Sequence, residues 1–260
     1  MSINNINQEA LSFFNNNGFP HQKNEYWKHT NLKKFKSLKF SKSNNFDYPK
    51  DYIDNFYFLD IPTITIVNGK IISSPKSSQI DLLSNKLQDC SDIFYNSFSI
   101  ESSKSATDNP FLVLNTAYFS DGVYLKMNQN FENVLIRIIS NNSSKKLESS
   151  YSRIYIDAEK NSHSKIFLHH IGLNKDENYY KNNVLSVNAN KNSNVSILNI
   201  YEESYKSYSM NNIILNQLKD SNIKQSSIYL TSGFMRTDIK NNLNEKGSSS
   251  LIDALFLGKD

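Results

Sequence analysis

Leu185-Ser186-Val187, the polar tetrad Lys191-Asn192-Ser193-Asn194 and Val195-Ser196-Ile197-Leu198 read as a strand, a tight turn and a second strand. Apolar and small polar residues alternate in the flanks, as in a strand with one buried face. Asn and Ser suit the turn because they tolerate left-handed backbone or bond their own main chain. The unit recurs on either side. Ile154-Tyr155-Ile156, Lys160-Asn161-Ser162-His163 and Ile166-Phe167-Leu168 precede it, and Ile213-Ile214-Leu215, Lys219-Asp220-Ser221-Asn222 and Ser227-Ile228-Tyr229-Leu230 follow it. A fourth copy runs through Thr237-Asp238-Ile239, Glu245-Lys246-Gly247-Ser248 and Leu251-Ile252. Taking Ser162, Ser193, Ser221 and Gly247 as equivalent gives intervals of 31, 28 and 26 residues.

A two-strand unit at such a period marks a stacked architecture, because one unit cannot bury its own apolar face. The expected fold is mainly β, a parallel β-helix (solenoid) core over 106–260 preceded by a small helical or mixed region over 1–105. An antiparallel sandwich of hairpins is the competing arrangement.

Toward the N-terminus the pattern changes. Ala10, Leu11, Phe13 and Phe14 have helical offsets, closed by Gly18-Phe19-Pro20. Ile64 to Val67 is a strand, and Asn68-Gly69 turns it into Lys70-Ile71-Ile72. Ile80, Leu83 and Leu87 have a helix's spacing. Asn109-Pro110 starts a helix through Phe111, Leu112, Leu114 and Tyr118, which Asp121-Gly122 ends. Val123–Met127 and Val134–Ile139 are strands joined by Asn128-Gln129-Asn130.

The chain has 260 residues, 38% of them hydrophobic, with 16 Phe and 15 Tyr to build a core. Its net charge of +4 is spread along the chain, which argues only weakly for nucleic acid, and none is expected as a partner. Its 7 glycines are too widely spaced for either common nucleotide-binding loop. Cys90 is the single cysteine, so no internal disulfide and no C-x-x-C knuckle can form. No apolar run approaches a membrane span and residues 1–8 lack a signal-peptide pattern. A cytoplasmic location is expected.

The candidates for chemistry each have a plain structural alternative. His163, His169 and His170 lie one repeat from Glu202 and Glu203, which allows a His–carboxylate metal site. His169 and His170 should face opposite sides of their strand, however. Cys90 has no histidine near it in sequence. Asp157 and Glu159 fall on one strand face, as a carbohydrate-active β-helix enzyme would need. These residues support no catalytic, cofactor-binding or metal-binding assignment.

Three ordered segments carry a resemblance. Gly18-Phe19-Pro20-His21-Gln22-Lys23-Asn24-Glu25-Tyr26-Trp27-Lys28-His29-Thr30-Asn31-Leu32 resembles the "G-x-P-x-x-K-x-E-x-W-K-Y-T-x-L" segment of SufD proteins, with His29 at the usual tyrosine. Ile66-Val67-Asn68-Gly69 is similar to that family's "V-N-G" turn. Leu114-Asn115-Thr116-Ala117-Tyr118-Phe119-Ser120-Asp121-Gly122 is similar to its "L-N-x-A-x-x-x-D-G" junction. The resemblance implies a right-handed parallel β-helix between helical terminal regions. It also implies a non-catalytic scaffold of the SUF iron–sulfur cluster assembly machinery, pairing with SufB and acting with the ATPase SufC. The cluster would be built on the complex, with no cofactor held by this chain alone. Leu255-Phe256-Leu257-Gly258 resembles the strand before the family's "Q-H-x-D" segment, so later coils and the SufC-docking helices have no counterpart here. This reads as a truncated chain with a bare last coil that aggregates or needs SufB. A carbohydrate-active β-helix enzyme and a generic β-solenoid protein-binding module are the alternatives.

Overall fold

Asn161, Asn192, Asp220 and Gly247 all hold positive φ, at 61°, 57°, 56° and 77°. They occupy one position in four successive turns. The N–H of Asn161 donates to Lys191 O at 3.1 Å, that of Asn192 to Lys219 O at 2.9 Å, and that of Asp220 to Lys246 O at 3.1 Å. This corrects the alignment of the fourth copy by one residue: Gly247 is the counterpart of Asn161, and Ser248 that of Ser162. The position demands left-handed backbone, which Asn, Asp and Gly each accept.

The computed structural model describes residues 3–20, 24–51, 61–86, 109–142, 144 and 146–257. Cys90 and the expected boundary at 105/106 lie outside them. Helices α1 (Ile3–Asn17), α2 (Lys33–Lys36), α3 (Leu83–Lys86) and α4 (Pro110–Tyr118) belong to the N-terminal half. So do β1 (Ser41–Lys42), the hairpin β2 (Thr63–Val67) and β3 (Lys70–Ser73), and β4 (Ile80–Leu82). The expected helix from Gln79 is instead β4 followed by the single turn α3. Ile80 and Leu82 pair antiparallel with Leu125 and Val123, and this pairing overrides the helical spacing.

The solenoid strands follow: β5 (Val123–Met127), β6 (Asn133–Ser140), β7 (Glu148–Ala158), β8 (His163–Gly172) and β9 (Tyr179–Ala189). After them come β10 (Asn194–Glu202), β11 (Tyr208–Gln217), β12 (Asn222–Thr231), β13 (Phe234–Leu243) and β14 (Ser249–Phe256). From β5 onward odd strands build one sheet, in the order β13-β11-β9-β7-β5-β4 with β1 on β7, and even strands build the other, β14-β12-β10-β8-β6-β2-β3. Among the described strands, all pairings are parallel except β2–β3 and β4–β5. The chain therefore winds through a β-solenoid of about four turns, and a hairpin sandwich is excluded.

Each inward position is a column. Leu125, Ile156, Val187 and Leu215 stack in register, all shut off from solvent. Burial of each such side chain contributes about 1.5–3 kcal/mol before entropy is counted. Outside the odd sheet a second core gathers Trp27, Phe35, Phe111, Phe119, Tyr155 and Tyr180. The N-terminal region is thereby fastened onto the solenoid. Asn109 caps α4, accepting from Leu112 N at 3.1 Å, as Asn-Pro predicts.

Among the described residues, β13 and β14 are each paired on one side only, and Phe256 is 70% exposed beyond Tyr229.

Candidate functional site

The strongest concentration of ionisable groups lies where β8, β9 and β10 meet. Lys181 in β9 and Glu203, directly after β10, are an ion pair with both residues 0% exposed. Tyr179 OH donates to Glu203 Oε2 at 2.5 Å and accepts from Ser204 N at 3.0 Å. Lys181 Nζ lies 3.2 Å from His170 Nδ1. A Cβ on Gly172 would collide with the Tyr179 hydroxyl, so glycine is required at that approach.

Burial dictates the protonation of these groups. It lowers the pKa of His170 well below the ordinary value, and the Lys181 charge lowers it further. A neutral imidazole fits the contact, since Nδ1 can then accept from the Lys181 ammonium. Burial lowers Lys181 as well, against the opposing pull of Glu203. Tyr179 is raised well above its usual range, first by burial and then by the adjacent Glu203 carboxylate. The group is thus a charge-compensated knot that ties three strands together. From it an aromatic column extends: His170 stacks on Tyr201 at 4.3 Å, Tyr201 on Tyr229 at 4.8 Å, and Tyr229 on Phe256 at 4.4 Å.

A second, separate cluster sits on the opposite side of the same strands. His169 Nε2 lies 3.4 Å from Glu202 Oε2, and Lys175 Nζ lies 3.0 Å from Glu202 Oε1. The hydrogen bond from His169, helped by Lys175, holds the Glu202 carboxyl down at about 2. As expected from the strand period, His169 and His170 point apart. The five candidate ligands therefore divide: His170 with Glu203, His169 with Glu202, and His163 exposed at the far end of β8. Among the described residues, no three His, Cys, Asp or Glu side chains gather closely enough to hold a metal ion.

The members of the expected carboxylate pair are each engaged. Asp157 lies in β7 and accepts from Asn190 Nδ2 at 2.8 Å, from Asn188 Nδ2 at 3.2 Å and from Tyr124 OH at 3.2 Å. Glu159 is beyond the strand end and pairs with Lys126 at 2.6 Å, which raises the Lys126 pKa. Glu159 thus falls one residue past the strand, both acids lie beside Lys126, and each is already engaged.

The motif residues act at junctions. Asn115 Nδ2 donates to Ser152 O at 3.1 Å and to Asn182 O at 2.8 Å, while its Oδ1 accepts from Arg153 Nε at 3.0 Å. Arg153 also donates to Thr116 Oγ1 at 2.7 Å, and burial lowers its pKa to about 9. Asp121 accepts from Ser84 N at 3.0 Å and Ser84 Oγ at 2.7 Å, pinning α3 beside the start of β5. Trp27, 1% exposed, packs 5.3 Å from Phe111, and the Arg236 guanidinium of β13 lies 3.9 Å from its ring centroid. The segment with Trp27 thus closes against the fifth odd strand of the solenoid. Lys181, Tyr179 and Arg153 escape sequence reading, since each stands among polar residues with partners distant in the chain.

Comparison with protein families matches residues 1–138 to the SufBD protein N-terminal region. Residues 138–260 match the SUF system FeS cluster assembly, SufBD core domain. The chain belongs to the SufB/SufD family. A comparison with curated proteins found no match. The two family regions meet at residue 138, inside β6, so the even sheet takes strands from both. SufBD membership gives the chain a role in SUF iron–sulfur cluster assembly. Among the described residues, no helix is long and apolar enough to cross a membrane.

Proposed function

We propose that this chain is a SufD-type, non-catalytic scaffold of a cytoplasmic SUF complex, pairing with SufB and acting with the ATPase SufC. The observation that carries the reading is that the chemically strong side chains bind the coils together. Glu203 holds Lys181 and Tyr179, Glu202 holds His169 and Lys175, and Asp157 holds Tyr124, Asn188 and Asn190. Residues engaged in this way support a rigid platform rather than acid–base turnover. The one cysteine, Cys90, can offer one thiolate, so a cluster with its usual four thiolates needs ligands from other chains. That agrees with a cluster assembled on the complex as cargo. The Trp27 segment, with its SufD-like pattern, supports SufD over SufB. The test is co-expression of this chain with SufB and SufC under reducing conditions. Co-elution of all three supports the reading, and a SufB–SufC complex that leaves this chain behind overturns it.

A further inference from the structure

The two sheets differ in what covers their outer faces. α4 packs on β7 and β9 of the odd sheet, and Phe35 lies against Tyr180 and Tyr208 there. Among the described residues, no helix makes an extensive contact with β8, β10, β12 or β14 of the even sheet. Yet that outer face carries a run of apolar side chains among its polar ones. Phe167, Leu198 and Ser226 stand in register across it, and beside them His169, Ile200 and Ile228. Phe167, Leu198, Ile200 and Ile228 are each half-buried. A contiguous apolar surface of this kind marks an interaction site.

Its flank is basic. Lys165, Ser196 and Lys224 form the next row toward the turns, and both lysines are exposed. Beyond them Lys160, Lys191, Lys219 and Lys246 repeat at one position of the four stacked turns, also exposed. The carboxylates at this edge are partly engaged: Glu245 accepts from Lys219 N at 3.0 Å, and Glu159 is paired with Lys126. Among the described residues, Lys165 and Lys224 are in no ion pair. Two residues along a strand cover about 6.6 Å, so the lysine, Leu198 and Ile200 rows together span about 13 Å. A helix with its side chains is about 10–12 Å across.

We infer that the outer face of the even sheet docks an amphipathic helix of a partner protein, its apolar stripe on Leu198, Ile200 and Ile228 and its acidic flank facing Lys165 and Lys224. The turn lysines add a positive field that speeds encounter with such a helix. Charge complementarity selects an acidic helix, and the apolar rows select a helix over a bare polyanion.

The test uses the full chain and three labelled synthetic peptides in fluorescence anisotropy at low and physiological salt. One carries a Leu stripe flanked by Glu, one the same stripe flanked by Lys, and one is glutamate-rich without a stripe. The Glu-flanked amphipathic peptide should bind at least about tenfold more tightly than either other peptide. Lys165→Glu with Lys224→Glu should reverse the preference for the flank. Ile200→Ser should weaken both striped peptides while the thermal midpoint stays put, which separates docking from folding. Equal binding of the stripe-less peptide, or of a single-stranded oligonucleotide, would show an electrostatic surface only and overturn the inference. So would unchanged affinity in the charge-reversed variant. Self-association that Ile200→Ser abolishes, seen by sedimentation, would assign the face to a second copy and overturn it as well.

Discussion

Lys181 and Glu203 face each other as an ion pair from which water is excluded, on neighbouring coils of the solenoid. Neither charge is tolerable there without the other. The pair, with Tyr179 and His170, fixes the corner at which β8, β9 and β10 meet, and this ties the buried chemistry to coil register.

Removing one partner should therefore cost far more than removing both charges. Lys181→Met leaves Glu203 buried and uncompensated and should destabilise by about 3–5 kcal/mol. Lys181→Met combined with Glu203→Gln should cost less than Lys181→Met alone, because Tyr179 can still donate to the Gln carbonyl. Urea unfolding of the single and double variants gives the coupling directly. Additive costs would contradict the charge-compensated arrangement.

Acid should act in two windows. The folded pKa of His170 lies well below its ordinary 6.5, so below about pH 6.5 the unfolded chain takes up a proton that the folded chain refuses. Stability is thus full above that pH and declines as pH falls. The Glu202 value is depressed to about 2 from 4.5, so its contribution is present above about pH 4.5 and fades as pH falls toward 2. His170→Gln should flatten the upper window and Glu202→Gln the lower one, read from denaturant midpoints against pH. Salt should shrink the Glu202 effect, since that group is partly solvated.

The turn column makes a backbone prediction. Asn192 sits at φ 57°, where a Cβ-branched side chain is strained. Asn192→Gly should be close to neutral, while Asn192→Val should destabilise by about 1–2 kcal/mol. Equal effects of the two substitutions on the thermal midpoint would mean that the turn does not depend on left-handed backbone.

Trp27 should hold the N-terminal region to the solenoid. Trp27→Ala removes the contacts with Phe111 and Arg236 and should cost about 3–5 kcal/mol. Limited proteolysis should then cut within residues 3–51 first, while circular dichroism keeps its strand signal. A variant as protease-resistant as the parent would show that Trp27 is not the fastening.

The repeating core was legible because its signal is local. Alternation in Val195-Ser196-Ile197-Leu198 and the Asn-Ser turns reflect constraints met within a few residues. The fourth copy slips by one residue because Glu245 reads as the first polar turn residue, whereas the shared left-handed backbone aligns Gly247 with Asn161 and Ser248 with Ser162. The alternating pattern marks only Leu185-Ser186-Val187, yet β9 extends from Tyr179 to Ala189. Its Lys181, Asn182 and Asn183 are buried by α4, Glu203 and neighbouring strands, which no local pattern reveals. The helix expected at Gln79 failed for a like reason, since pairing with β5 decides that segment. For the candidate site, strand period correctly separated His169 from His170. It could not pair Glu203 with Lys181, because that contact crosses from one coil to the next.

The most direct test of the central claim is reconstitution of cluster assembly on purified SufB and SufC, with and without this chain. The measurements are size-exclusion co-elution and the visible absorbance of the cluster formed. The account predicts stable incorporation of this chain and cluster formation that depends on it. It predicts the same rate when Asp157→Asn, His169→Ala or Glu202→Gln replaces the parent chain. Loss of assembly in one of those variants, with the complex intact, would contradict the scaffold role and assign that side chain to the chemistry.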